Sequence, residues 1–205
     1  MEIKSKFKPV VVVDNDKFTS DQLTQIPNMA GCEMGYAREI GGPCINYLLD
    51  QFAQAGVDIS ECTITTRIYD LKEGNSTHPL NWHGDGHSMG DALNYKNEEF
   101  VQYIGHVGPN EIPFEIVDDS IVMEDTVFEG HVTYEKLADN IESHNYRIKK
   151  LSVGQFAEIL ATDIHRVLPS VDSGMRMLVI ISNAHKFFPI LEKHKNKIRD
   201  NVSIY

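Results

Sequence analysis

The chain reads as an α+β, mainly β domain with flanking helices, and three observations carry that reading. Runs of β-branched and aromatic residues recur through the middle of the sequence, as in Cys62-Thr63-Ile64-Thr65-Thr66-Arg67-Ile68-Tyr69-Asp70-Leu71, a pattern suited to a pleated, half-buried surface. The clearest helical patterns lie toward the two ends and in one acidic stretch near Tyr134 to Ile141. The 205 residues fit one domain, 1–205, with a sizeable core, because a single core stops growing only beyond about 250 residues.

Taken in order, Lys8-Pro9-Val10-Val11-Val12-Val13-Asp14 predicts a buried strand, and Thr19-Ser20-Asp21 offers capping side chains to a helix beginning at Gln22. Pro43 to Ala55 places Ile45, Leu48, Leu49, Phe52 and Ala53 on one helical stripe, and Gly56 ends it. These elements make an N-terminal strand-and-helix portion over 1–60. The β core follows over about 61–183, opening with the strand at 62–71 and a turn-rich connector from Lys72 to Thr77. Asp85 to Ile104 is polar and glycine-punctuated, a loop with a helical piece. Ile116-Val117, Ile121-Val122 and Val127-Phe128 are short β-like runs, and two clearer strands, Phe156 to Val167 and Met175 to Ser182, close the core. His185 to Asp200 reads as an amphipathic helix within a C-terminal portion over 184–205.

Thirty acidic against nineteen basic residues give a net charge of -11, which opposes binding along a polyphosphate backbone, so nucleic acid is not an expected partner. Cys32, Cys44 and Cys62 are odd in number and lack a Cys-x-x-Cys spacing, which argues against a disulfide framework or a thiolate zinc site and for a reducing, cytoplasmic setting. The valine run near the N-terminus is too brief for a signal-peptide core or a membrane span.

Chemistry concentrates in Pro79-Leu80-Asn81-Trp82-His83-Gly84-Asp85-Gly86-His87. In an extended segment residues two apart share a face, so His83, Asp85 and His87 could look into one cavity. Spacing alone leaves open which of them bind a metal. Of the other histidines, His165 stands near the end of an apolar run, where a polar side chain needs a reason. A lone core histidine is more often satisfied by hydrogen bonds. Folding 156–167 back onto 175–182 as an antiparallel hairpin would bring Arg176 roughly opposite Val167, a diagonal step from His165. Arginine's planar fork grips a carboxylate with two hydrogen bonds, and a cation in that apolar run is costly without an anion.

The ordered set His83-x-Asp85, His165 and Arg176 resembles the Fe(II)- and 2-oxoglutarate-dependent oxygenase superfamily. "PVVVVDNDKFTSDQL" is similar to the opening strand and helix of its prolyl-4-hydroxylase-like branch, "RIYDLKEGNSTHPLNWHGD" to its run into the His-x-Asp, and "GQFAEILATDIHRVLPSVDSGMR" to its closing hairpin; the segment from about His87 to Lys149 matches only loosely. The resemblance implies a double-stranded β-helix, that is, a cupin-like jelly roll. It implies His83, Asp85 and His165 as the facial triad on Fe(II), with 2-oxoglutarate and O2 on the open positions and ascorbate as an auxiliary reductant. Arg176 would bind the far carboxylate of the cosubstrate, and decarboxylation would yield succinate, carbon dioxide and an oxidant that takes a hydrogen atom from the substrate.

Relatives of this kind often carry a hydroxyl two residues after the arginine, where this chain has Leu178. Tyr69, with Arg67 on the same strand face, is the candidate for that second anchor. A His83, His87 and His165 set would instead suit a zinc-like or cupin-like hydrolase or isomerase, and a binding protein could keep the barrel without the chemistry. His106, between glycines, reads as a loop residue able to overhang the pocket, and Trp82 as a pocket wall or core residue. The expected substrate is a small molecule or a peptide or protein side chain, with no membrane partner and with oligomeric state left open.

Overall fold

Strand pairing sorts the chain into two facing sheets and a helical layer, seen in a computed structural model that describes residues 2–4, 7–76, 82–84, 101–111, 114–122, 134–160, 163–186, 195–199 and 203–204. In chain order the elements are β1 (Glu2–Lys4), β2 (Lys8–Val12), α1 (Ser20–Leu23), β3 (Asn28–Ala30), β4 (Cys32–Glu33), α2 (Met34–Ile40), α3 (Gly42–Gln54), β5 (Thr63–Leu71), β6 (Gln102–Val107), β7 (Phe114–Val117), β8 (Ser120–Val122), α4 (Tyr134–Ser143), β9 (Ile148–Leu151), β10 (Gln155–Ile159), β11 (His165–Val167), β12 (Gly174–Ser182), β13 (Lys197–Arg199) and β14 (Ser203–Ile204). The large sheet runs β14-β5-β12-β6-β10-β2, with β4 also on β5, and the small sheet runs β11-β7-β9. Two further pairs, β1 with β8 and β13 with β3, stand apart.

Alternation along β12 sets the two faces of the large sheet. Met177, Val179 and Ile181 point to one side, where they join Ile64, Ile68, Tyr103 and Phe156 beneath α3. Leu178 points to the other, into a cluster with Tyr69, Ile104, Ala157 and, from the small sheet, Phe114, Ile116 and Val167. The second cluster draws on both sheets, so the sheets pack face to face. On the helical side, Ile45, Leu48, Leu49 and Phe52 of α3 are buried as the stripe required. Phe52 sits edge-on to Phe156 at 5.3 Å and to Tyr103 at 5.6 Å between ring centroids. Thr19 and Gln22 form a reciprocal capping box at the start of α1. Beyond the small sheet, α4 covers Trp82, Val117, Ile121 and Ile164 with Leu137 and Ile141. No helix among the described residues is long and apolar enough to cross a membrane.

Three expectations are corrected. The valine run is an edge strand rather than a fully buried one: Val11 is 4% exposed and Val12 71%, because only one face of β2 meets the core. Phe156 to Val167 is not one strand. The Asp163 carboxylate accepts the Leu160 N–H at 2.8 Å while the Asp163 N–H donates to the Leu160 carbonyl at 3.0 Å; β10 before them lies in the large sheet and β11 after them in the small one. Consequently β11 and β12 form no hairpin, and Arg176 faces Tyr69 rather than Val167. The helix expected from His185 to Asp200 is replaced, over its described residues, by a 3-10 turn at Ala184–Lys186 and by β13, whose backbone pairs with β3. The run Val127-Phe128 lies outside the described residues. The sequence reading also gave no separate place to α2, β3 or β9.

Because Phe52 fills the space between two aromatic rings under the sheet, Phe52→Ala is expected to destabilise the fold by about 3–5 kcal/mol, read as a lower urea midpoint at unchanged slope.

Candidate metal and anion site

His83 joins the edge of the small sheet through one antiparallel bridge to His165. The His83 N–H donates to the His165 carbonyl at 2.9 Å, and the His165 N–H returns the bond at 2.8 Å. Residues paired this way carry their side chains on the same face, and the two imidazole centroids lie 4.5 Å apart, tilted by 56°. Two rings that each place a nitrogen about 2.0–2.2 Å from one ion must come this close, so the pair fits a shared metal.

The tautomer of His165 supports that fit. Its Nδ1 lies 2.9 Å from the Asp163 carbonyl, and a carbonyl can only accept, so Nδ1 carries a proton and, in the neutral ring, Nε2 is the nitrogen with the lone pair. Metal-ligating histidines are oriented in this way, by donating the other ring N–H to a carbonyl or carboxylate. His165 is 3% exposed, and Phe114 stacks on it at 5.2 Å with a 25° interplanar angle. Asp85 and His87, the other expected candidates, lie outside the described residues. Among the described residues no group of three histidine, cysteine or acidic side chains comes together.

The opposing inner face of the large sheet is cationic. Register pairs Arg176 with Tyr69, and the next row places Arg67, Leu178 and His106 side by side on β5, β12 and β6. Arg176 is fully buried, with its guanidinium carbon 5.6 Å from the Tyr69 ring centroid. Burial pulls its pKa down to about 9, against a smaller upward effect of Tyr69. A folded value below the unfolded one means that holding this charge costs stability at neutral pH, a cost that fades as pH rises past about 9. Arg67 is partly buried on the same face, and its Nε has no hydrogen-bond partner among the described residues.

His106 is corrected: it lies within β6, not in a loop, is 3% exposed, and meets Phe114 at 5.4 Å between centroids. Phe114 therefore touches His165 on its own sheet and His106 on the other. Period-two alternation through Ile104 and His106 was the sequence signal for this placement; the flanking glycines masked it. Trp82 is core, 1% exposed beneath α4, because it alternates with His83.

No family model and no curated protein matches this chain. Among solved structures, one described as "non-heme monooxygenase; ThoJ apo" aligns over 87% of this chain and 74% of its own, at 13% identity and a TM-score of 0.41. A likeness of that size carries no functional argument, and the reading that follows rests on the side chains.

Long-range 15N correlation spectra of the metal-free protein at neutral pH are expected to show His165 as the Nδ1–H tautomer. An Nε2–H tautomer would contradict the ring orientation described above.

Proposed function

We propose that this chain is an Fe(II)- and 2-oxoglutarate-dependent oxygenase that hydroxylates a small molecule or a protein side chain. The observation that carries the reading is the imidazole pair His83–His165 on one sheet, set across the inner space from the buried guanidinium Arg176 on the other. Strand order gives further support. Successive segments fall in the large sheet (β5), the small (His83), the large (β6), the small (β7 and β9), the large (β10), the small (β11) and the large (β12). That alternation is the order a double-stranded β-helix would follow, and it supports that architecture for the chain.

In this reading the neutral imidazoles of His83 and His165 and the carboxylate of Asp85 hold the metal on one side, the 2-His-1-carboxylate set of ferrous oxygenases. Ferrous iron with 2-oxoglutarate and O2 supplies the oxidising equivalents for hydroxylation, with succinate and carbon dioxide as coproducts. Arg176 binds the distal carboxylate of the cosubstrate, its planar fork being suited to a two-hydrogen-bond grip on a carboxylate. Tyr69 stands beside it, and Arg67 and His106 flank Leu178, the position without a hydroxyl, so either can serve as second anchor. Three free, buried cysteines suit a reducing compartment, and we place the protein in the cytoplasm.

Turnover is tested with Fe(II), 2-oxoglutarate and candidate substrates, following succinate. Wild type is expected to produce it, and His83→Ala, Asp85→Ala and His165→Ala to lose it; unimpaired turnover in all three would remove the proposal. Zinc content with activity indifferent to 2-oxoglutarate would select the hydrolase or isomerase reading. A folded protein that binds neither Fe(II) nor N-oxalylglycine would select the binding-protein reading.

Arg176 separates a cosubstrate anchor from a structural ion pair. Arg176→Met is expected to abolish most of the rise in melting temperature that 2-oxoglutarate gives to wild type, a larger effect than its change in the unliganded melting temperature. The same change should weaken 2-oxoglutarate by about 30-fold or more, the loss of roughly 2 kcal/mol or above for a buried charged contact. Both quantities come from one thermal-shift titration, and a large drop in unliganded stability with unchanged cosubstrate affinity would assign Arg176 to the scaffold.

A further inference from the structure

Among the described residues, the segment that presents His83 meets the small sheet at its bridge to His165 of β11. The pleat turns consecutive residues to opposite faces, so while His83 and His165 point inward, their neighbours Trp82 and Arg166 point outward. Continuing the antiparallel register by one step sets Trp82 opposite Arg166, and the Arg166 guanidinium carbon lies 4.3 Å from the centre of the Trp82 ring. The indole N–H has no hydrogen-bond partner among the described residues, so the ring is held through its faces and edges.

Arg166 is itself fixed. Its Nε and Nη2 both donate to Oε2 of Glu115, at 2.9 and 2.8 Å. The other carboxylate oxygen, Oε1, faces the Lys150 ammonium at 3.3 Å. Glu115 is 5% exposed, and it pairs in register with Arg166 on one side and Lys150 on the other. A single row of alternating charge therefore crosses β9, β7 and β11 and ends on the indole next to His83.

We propose that Arg166, held by Glu115, is a positioning residue for His83: the guanidinium clamps Trp82 on the outer face and so keeps the His83 imidazole in register with His165 on the inner face. The consequence for metal binding rests on the reading of the inner pair given above; the clamp itself rests on the outer face alone. Neither residue points into the inner space, so composition of the metal shell is untouched by changing them. What changes is how often the shell is assembled.

The test reads the two claims separately. Amide hydrogen exchange in the metal-free protein reports the His83 N–H, whose partner is the His165 carbonyl. Arg166→Leu is expected to speed exchange at His83 by about tenfold or more while Ile104 in β6 keeps the wild-type rate. Arg166→Lys, which retains a cation beside Glu115 and the indole, should recover part of the protection. Glu115→Gln, which keeps the shape and removes the anion, is read in the same way if Arg166→Leu does not fold. Exchange at His83 within twofold of wild type in both Arg166→Leu and Glu115→Gln would overturn the clamp. Cobalt(II) titration followed by visible absorption then reports the site: Arg166→Leu should bind about 10–100-fold more weakly than wild type, the usual effect of losing an outer support. Equal cobalt binding by wild type and by the double variant His83→Ala/His165→Ala would sink the metal reading, while the exchange data still judge the clamp.

Discussion

Two reciprocal backbone hydrogen bonds between His83 and His165 are the constraint on which the rest of the site depends. A side chain can swing through several rotamers, but a bonded antiparallel pair fixes both Cα–Cβ vectors on one face at short range. Other contacts surround that pair: the Asp163 carbonyl accepts from Nδ1 of His165, Phe114 packs its ring, and Arg166 lies over Trp82 next to His83 in the chain. The small sheet thus supplies geometry, with its inner and outer faces serving one junction.

The large sheet supplies charge. Arg176 is in an apolar interior whose neighbours across the sheet are Tyr69 and, one row on, Leu178 between Arg67 and His106. Burial lowers the pKa of this guanidinium to about 9, the direction expected when desolvation disfavours the cation. A guanidinium desolvated to this extent is costly to hold in its charged form. A face-to-face arrangement of imidazoles and guanidinium is suited to bridging a metal and a dicarboxylate, and that is the basis of the functional proposal.

Local chemistry was legible wherever a residue's neighbours in sequence are also its neighbours in space. The apolar stripe of α3 and the alternation that puts Arg67 and Tyr69 on one face of β5 follow from periods of 3.6 and 2. So did the interest of His83, His165 and Arg176 as polar side chains at the ends or in the middle of apolar runs. His106 was misjudged because glycines flanking it resemble loop punctuation, whereas Gly105 sits in the strand where Phe156 approaches within 2.6 Å of the position a Cβ would take.

Sequence by itself determined the residue types, their faces, and the largely β character of the core, because those depend on short-range periodicity. Tertiary structure alone decided which sheet each strand enters. β11 pairs with β7 and β12 with β5, so His165 and Arg176, expected a diagonal step apart on one hairpin, instead stand in two different sheets. It also decided that Arg166 lands on Trp82, since their meeting depends on a register between segments some eighty residues apart in the chain. Pairing partners are chosen by global packing and backbone hydrogen-bond satisfaction, and no window of neighbouring residues contains that choice.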